Sequence, residues 1–491
     1  MTINRRTFVK SLSCSAAGLA LQSAKASDRH ETRRPNVVFI LPDEWRAQAL
    51  GCMGNVDVQT PHLDRLASEG ILLRNTLANT PLCCPARANI LTGMYASQNG
   101  MVANDLRLRE SLVTMGQLFS QAGYRTGYVG KWHLDGGPRL PGFVPPGPRR
   151  HGFEFWAANE CNHDYFYNWY FRDADVPIIR TEYEPEYWFD LATEFLYEAQ
   201  DQPFFLMIAP GAPHDPYIAP EKYEKMYDPA ALRMRPNWEP NIGGAGRKQI
   251  ALYYSAITAI DDQIGRLMRT LKELDLEDDT IVFFSSDHGN MLGSQGKLLK
   301  RNPWEESIRV PGILRYPHRV KAGQQSTILF SHVDIAPTLL SLCGINSPRT
   351  MQGTDLSSVI LGRTQGGPTS AYFQIFVPSH AGGVLHAWRG VRTERYMYAR
   401  TEAEPWVLYD LKDDPYEMTN LAHTDSASAI RIEMEAMLAQ WMEKTKDSWS
   451  LDWSFPVEDG GGLYKYRTFY TVDEYLVWAR EHPYLAPPGI L

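Results

Sequence analysis

Four continuous apolar runs stand out along the chain: NVVFIL (36–41), TGYVG (126–130), FFLMIA (204–209) and TIVFFSS (280–286). Runs without polar alternation suit strands buried on both faces, because neither face meets water. The last three each come after a segment whose apolar residues recur at helical spacing: SLVTMGQLFSQAG (111–123), DLATEFLYEAQ (190–200) and IALYYSAITAIDDQIGRLMRTLKEL (250–274). This alternation predicts an α/β fold, a large and mostly parallel sheet sandwiched by helices. FSHVDIAPTLLSLCGI (330–345) reads as a further helix, WRGVRTERYMYAR (388–400) as strand, and residues near 427–443 as helix. A main domain is therefore expected over 36–365, and a smaller C-terminal α+β domain with an antiparallel sheet and tail over 366–491.

The residues immediately after each run point to chemistry. NVVFIL leads into Pro42-Asp43-Glu44, TGYVG into Lys131-Trp132-His133, FFLMIA into PGAPH ending at His214, and TIVFFSS into Asp287-His288-Gly289. Ligands and catalysis in open α/β sheets gather at the carboxyl ends of strands. Four strands out of four end in carboxylates, imidazoles or an ammonium, which chance placement on a surface does not give. The aromatic segment NECNHDYFYNWYF (159–171) suits core filling and a wall for sugar rings equally.

The N-terminus reads as something other than fold. NRRTFVK, a weakly apolar stretch and the small-residue site Ala24-Lys25-Ala26 have the form of a twin-arginine signal peptide over 1–26, with a polar linker over 27–35. The signal implies the Tat translocon as a partner and a periplasmic or secreted location. No later stretch has the ~20 apolar residues that a membrane span needs. Cleavage after Ala26 would remove Arg5, Arg6, Lys10 and Lys25 and no acid, taking the formal charge from −8 to −12. That balance argues against nucleic acid as a partner, and any anionic substrate needs a local cluster of cations. Five cysteines remain: Cys52, Cys83, Cys84, Cys161 and Cys343. An odd number in an oxidising compartment leaves either a chemically special thiol or two disulfides and one buried free cysteine.

TPLCCPARANILTG (80–93) places Cys83 at or just before a helix N-terminus, since Pro85 suits a first turn. Free N–H groups and the helix dipole favour an anion there, a thiolate included, and Arg87 adds a fixed positive fork. CCPARANILTG also resembles the signature of the type I (formylglycine-dependent) sulfatases, of the alkaline phosphatase superfamily. Cys83, Pro85, Arg87 and Leu91-Thr92-Gly93 match; Ala86 stands where serine is commoner. The resemblance continues in order through DEW, GKWHL, APH, SDHG, KRNPWEESIRVP and SHVDIAPTLL, over nearly the whole mature chain.

The resemblance implies a secreted bacterial carbohydrate sulfatase whose Cys83 is oxidised by a formylglycine-generating enzyme. The aldehyde, as its hydrate, attacks sulfur and displaces the alcohol; the remaining hydroxyl then loses its proton and expels sulfate. It implies one divalent cation held by Asp43, Glu44, Asp287 and His288 with the Cys83 position, Glu44 standing where the family commonly has Asp. Oxygen donors suit Ca²⁺, which the family favours, whereas an imidazole leans toward Mn²⁺. Arg87, Lys131 and Lys300 match the family's cationic positions. His133 would take the proton that drives sulfate elimination, and His214, with Lys300, would serve the leaving oxygen. Asn104, Asp105 and His163 fall where related enzymes vary with substrate. Two other readings stand beside a sulfated-carbohydrate substrate: a phosphonate monoester or phosphodiester hydrolase of the same superfamily, and a non-catalytic binder of sulfated glycans with Cys83 unmodified.

Overall fold

The computed structural model describes residues 34–449, apart from 105, 137–141, 241–245, 377–383 and 385, and the backbone of two short strands beyond them. The expected signal peptide at 1–26 and nearly all of the linker lie outside the described residues.

In chain order the strands are β1 (Asn36–Ile40), β2 (Ile71–Leu77), β3 (Arg125–Lys131), β4 (Phe155–Asn159), a small ribbon of β5 (Asn168–Tyr170) and β6 (Ile178–Arg180), β7 (Phe204–Ala209), β8 (Thr280–Ser285), β9 (Arg309–Val310), β10 (Gly312–Arg315) and β11 (Gln324–Ser331). All but the ribbon join one nine-stranded sheet in the order β11-β2-β10-β8-β1-β7-β3-β4, with β9 on β2. Pairing is parallel from β8 through β1, β7 and β3 to β4, and between β11 and β2. β10 and the two-residue β9 run antiparallel to their partners.

Helices α1 (Pro61–Glu69), α2 (Cys83–Thr92), α3 (Met115–Gln121), α4 (Glu184–Ala199), α5 (Arg247–Glu273) and α6 (His332–Leu342) cover the sheet. Side chains alternate between its faces. Val37 and Phe39 of β1, Met207 of β7 and Phe283 of β8 pack with α2, α3 and α6. Val38 and Ile40, Leu206 and Phe284 pack with α1, α4 and α5. The central strands β1, β7 and β8 are thus buried on both faces, which is why these runs carry no polar alternation; each fully buried side chain contributes roughly 1.5–3 kcal/mol. The helix expected from 330 starts two residues later, because Phe330 and Ser331 complete β11 beside Thr76 and Leu77. The Ser331 N–H then donates to Asp334 Oδ2 at 2.8 Å, which fixes the helix start.

β12 (Ala371–Ile375), β13 (Trp388–Arg392), β14 (Tyr396–Arg400) and β15 (Pro405–Asp410) form an antiparallel meander, followed by α7 (Ser428–Lys444). One face of the meander packs on Leu82, Met291 and Trp304 of the main body. The other carries Tyr372, Val391, Tyr398 and Leu408 against Met434 and Leu438 of α7. β16 (Trp453–Pro456) and β17 (Leu463–Tyr466) pair antiparallel further on. All five described cysteines are free thiols, so the two-disulfide alternative is not realised. No helix among the described residues is long and apolar enough to cross a membrane.

Candidate active site

The carboxyl ends of β1, β3, β7 and β8 meet the N-terminus of α2. All ten residues of α2 are buried, and it closes on Gly93 in the left-handed conformation (φ 61°) that favours glycine at this cap. Cys83 is its first residue and Pro85 its third. No side chain of the N-cap residue Leu82 satisfies the first turn; instead Asn104 Oδ1 accepts the Cys84 N–H at 3.1 Å. Asn104 therefore acts here as a cap beside Cys83. Asp105 lies outside the described residues.

Cys83 Sγ lies 3.2 Å from His288 Nε2 and 3.9 Å from Asp43 Oδ1. Donor atoms of Asp43, Cys83, Asp287 and His288 all fall within 4.8 Å of one another, and those of Asp43, Glu44 and His214 form a second group sharing Asp43. His288 Nδ1 sits 3.0 Å from the Gly289 carbonyl, which leaves Nε2 toward the cluster. The Glu44 N–H donates to Asp287 Oδ1 at 3.0 Å, holding Glu44 at φ 65°, a left-handed conformation uncommon for a side-chain-bearing residue. Such strain is found where surrounding structure over-determines a functional position.

Cations surround these acids. Arg87 donates through Nε to Asp287 Oδ2 at 3.0 Å and through Nη1 to the Lys131 carbonyl at 2.8 Å. Lys131 Nζ pairs with Asp43 Oδ2. Lys300 Nζ donates to Glu44 Oε2 at 2.8 Å and lies 2.7 Å from His214 Nε2, itself 2.8 Å from the same Glu44 oxygen. Burial raises the Asp43 carboxyl, but Lys131, His214, Arg87 and His288 outweigh it and hold it well below the usual range. Burial and Asp43 likewise raise the Cys83 thiol; Lys131, Lys300 and His288 prevail and hold it well below. His214 is pulled down by burial, yet Glu44 carries it well above an ordinary imidazole.

His133, buried two residues past Lys131 with φ 56°, faces Glu160, whose carboxyl burial and Asp135 push up to about 8 while His133 pulls it the other way. His163 reaches the rim: its ring centroid is 4.0 Å from that of His214, and its Nδ1 is 3.1 Å from the Asp215 carbonyl. Two residues escaped the sequence reading. Asp215 places Oδ1 2.9 Å from His214 Nδ1, and its adjacency to the strand-end histidine was the available signal. Glu184, in the first turn of α4, accepts the Gly211 N–H at 2.7 Å and so supports the loop bearing His214; no local pattern marks it.

The donor chemistry fits a hard divalent cation. Asp43 and Asp287 converge with the His288 imidazole and Cys83, Glu44 joins Asp43 and His214 in the adjoining group, and Glu44 Oε1 is buried without a hydrogen-bond partner, as an oxygen kept for an ion would be.

Residues 35–345 match the sulfatase family, and residues 293–444 match the C-terminal region of N-sulphoglucosamine sulphohydrolase. An ulvan-active sulfatase of Formosa agariphila is 37% identical over 425 residues, covering 85% of this chain and 83% of its own. The assigned sulfatase yidJ of Bacteroides fragilis superposes with a TM-score of 0.78 at 32% identity, over 85% of this chain and 97% of that one. A protein solved with its substrate D-glucosamine-2-N,6-O-disulfate gives 0.77 at 25% identity, over 85% and 99%. A matching family over most of the chain, a relative at this identity and a centre assembled from the motif residues make one conclusion: the chain belongs to the sulfatase family and is a sulfuric ester hydrolase.

Proposed function

We propose that this sulfatase removes sulfate from a sulfated oligo- or polysaccharide, with a formylglycine made from Cys83 as nucleophile and one calcium ion held by Asp43, Glu44, Asp287 and His288. The observation that carries this reading is the position of Cys83 Sγ, 3.2 Å from His288 and 3.9 Å from Asp43 at the head of a buried helix. The relatives' carbohydrate substrates support the sugar. Residues 36–365 form the catalytic unit, which contains every residue assigned a role.

When present, the cation supplies Lewis acidity to the sulfate oxygens, and the formylglycine supplies a nucleophilic oxygen and a route for sulfate release. The protein's own groups do the rest. Arg87, fixed on Asp287, and Lys131, fixed on Asp43, hold positive charge beside the Cys83 position, where charge on sulfate oxygens develops; because both are anchored in advance, little reorganisation is needed. Glu44 keeps the proton on His214, 2.8 Å away, and that imidazole with Lys300 donates it to the departing alkoxide. His133 accepts the proton released as sulfate leaves. His163, set edge-on to His214, contacts the sugar. The enzyme works in the periplasm or outside the cell after Tat export.

Mass spectrometry of the Cys83 peptide from the native host, paired with sulfate release from a panel of sulfated oligosaccharides, tests the proposal. An aldehyde at Cys83 and release from at least one glycan are expected. An unmodified thiol in active protein would overturn the mechanism.

A further inference from the structure

Two residues past Glu44, Arg46 lines a second cavity of about 300 Å³, at the lower end of the roughly 300–1,000 Å³ usual for ligand sites. None of the candidate catalytic or metal-binding residues lines it. Five guanidinium groups do, from Arg46, Arg74, Arg233, Arg235 and Arg309, against a single carboxylate, Asp57. In a chain of formal charge −8 this is a local reversal of sign.

Several of these groups have unspent hydrogen-bonding capacity. Arg46 is 3% exposed, yet its Nε has no hydrogen-bond partner, and its Nη1 reaches only the Met291 carbonyl at 3.5 Å. Arg74 bonds the neutral Gln325 Oε1 at 3.2 Å. Asp57 Oδ2 is occupied by the backbone N–H of Arg233, at 2.6 Å. Gln48 is 8% exposed, and neither its Nε2 nor its Oε1 has a hydrogen-bond partner. Arg235 and Arg309 pair with Glu306 and Glu305, at 2.7 and 2.9 Å, acids that do not line the cavity. Buried polar groups are ordinarily satisfied, so a cavity with an open guanidinium nitrogen and an open amide is arranged for a ligand. Planar guanidinium forks match a tetrahedral oxyanion, and the Gln48 amide adds a neutral donor.

The volume exceeds the needs of a bare ion, and the remaining lining is suited to a ring. Tyr254 and Tyr416 line the same cavity with Met53 and Met234, and Arg235 already lies over the Tyr416 ring at 5.0 Å. We propose that this cavity is a second, non-catalytic anion site that holds a sulfate group borne on a saccharide, anchoring a polymeric substrate while the catalytic centre works on another unit. The saccharide part rests on the substrate proposed for the catalytic centre; the anion site does not.

The test uses the full chain with Cys83→Ala, so that nothing is turned over, titrated calorimetrically with dextran sulfate at near-physiological salt. Arg74→Gln/Arg233→Gln and, separately, Gln48→Leu are expected to weaken binding about tenfold, with Lys222→Gln/Lys225→Gln as a charge-matched control that changes nothing. Unchanged affinity in the arginine and glutamine variants, or an equal loss in the lysine control, overturns the site. Glucose 6-sulfate should displace dextran sulfate at lower concentration than sodium sulfate does; equal potency overturns the saccharide assignment and leaves a site for the free ion. In chains that keep Cys83, hydrolysis of nitrophenyl sulfate by the arginine variant should stay within about twofold of wild type; a large loss overturns the separation of the two sites. Failure of the wild type itself to hydrolyse any sulfate ester would instead overturn the substrate reading, with the calorimetric result still deciding the anion site.

Discussion

Arg87 donates through Nε to Asp287 Oδ2 at 3.0 Å and holds Nη2 at 3.0 Å from the same oxygen in ion-pair contact, with the side chain 2% exposed and the carboxylate fully buried. The remaining nitrogen bonds the Lys131 carbonyl at 2.8 Å, so one side chain ties α2 to the ends of β3 and β8.

Removing that side chain leaves Asp287 and Asp43 facing each other with less compensation. Arg87→Ala is expected to cost about 3–5 kcal/mol of stability, the range for breaking one partner of a buried pair, and at least about a hundredfold in kcat, the scale of losing one preorganised donor. Arg87→Lys keeps the charge and loses the fork, so it should recover stability better than activity. Urea unfolding and initial rates on a sulfate ester measure the two.

Stripping divalent ions with a chelator is expected to lower Tm and abolish hydrolysis, and added Ca²⁺ to restore both. At a hundredfold excess over Kd, the linkage amounts to about 2.7 kcal/mol. Recovery with Mn²⁺ but not Ca²⁺ would replace the calcium assignment with manganese.

Glu184 makes stability depend on pH. Burial raises its carboxyl to about 7, although the N–H groups of Gly211 and Trp188 and the charge of Lys131 pull the other way. Its folded value lies above the unfolded 4.5, so between the two the folded state holds more protons. The stabilisation is complete below about pH 4.5 and is lost as pH rises through about 7, by at most on the order of 3 kcal/mol. Glu184→Gln should flatten that portion of a Tm-against-pH curve, and an unaltered slope would refute the assignment.

Gly289 sits directly after His288. A Cβ built there would lie 2.0 Å from the Glu306 carbonyl oxygen, a backbone atom that cannot step aside. Gly289→Ala should push the Asp287-His288 turn away from the Glu306 carbonyl, lowering Tm by several degrees, as expected for a loss of about 1–3 kcal/mol. It should reduce activity more than a comparable loss of stability elsewhere would, which paired melts and rates would reveal.

Much of this was legible in the sequence because it is local. The runs at 36–41, 126–130, 204–209 and 280–286 became β1, β3, β7 and β8 within about a residue at each end, since burial on both faces imprints an unbroken apolar signature. The polar residues just past them came together for the same topological reason. The insertion of β10 antiparallel between β2 and β8 left no comparable trace; a four-residue strand has too few positions to define a period. Glu184, and the capping role of Asn104 though not its place near the site, were hidden for another reason. Glu184 works through a backbone N–H 27 residues away, and Asn104 through one 20 residues away, partnerships that only the folded chain creates. The arginines of the second cavity, drawn from positions 46 to 309, were likewise scattered along the chain.

The complete enclosure of α2 dictates an order of events. With Cys83 2% exposed and every residue after it through Thr92 packed inside, no maturing enzyme can grasp that stretch once the molecule has assembled. The oxidation proposed for Cys83 would therefore come while the segment is still extended, ahead of the closure of this helix.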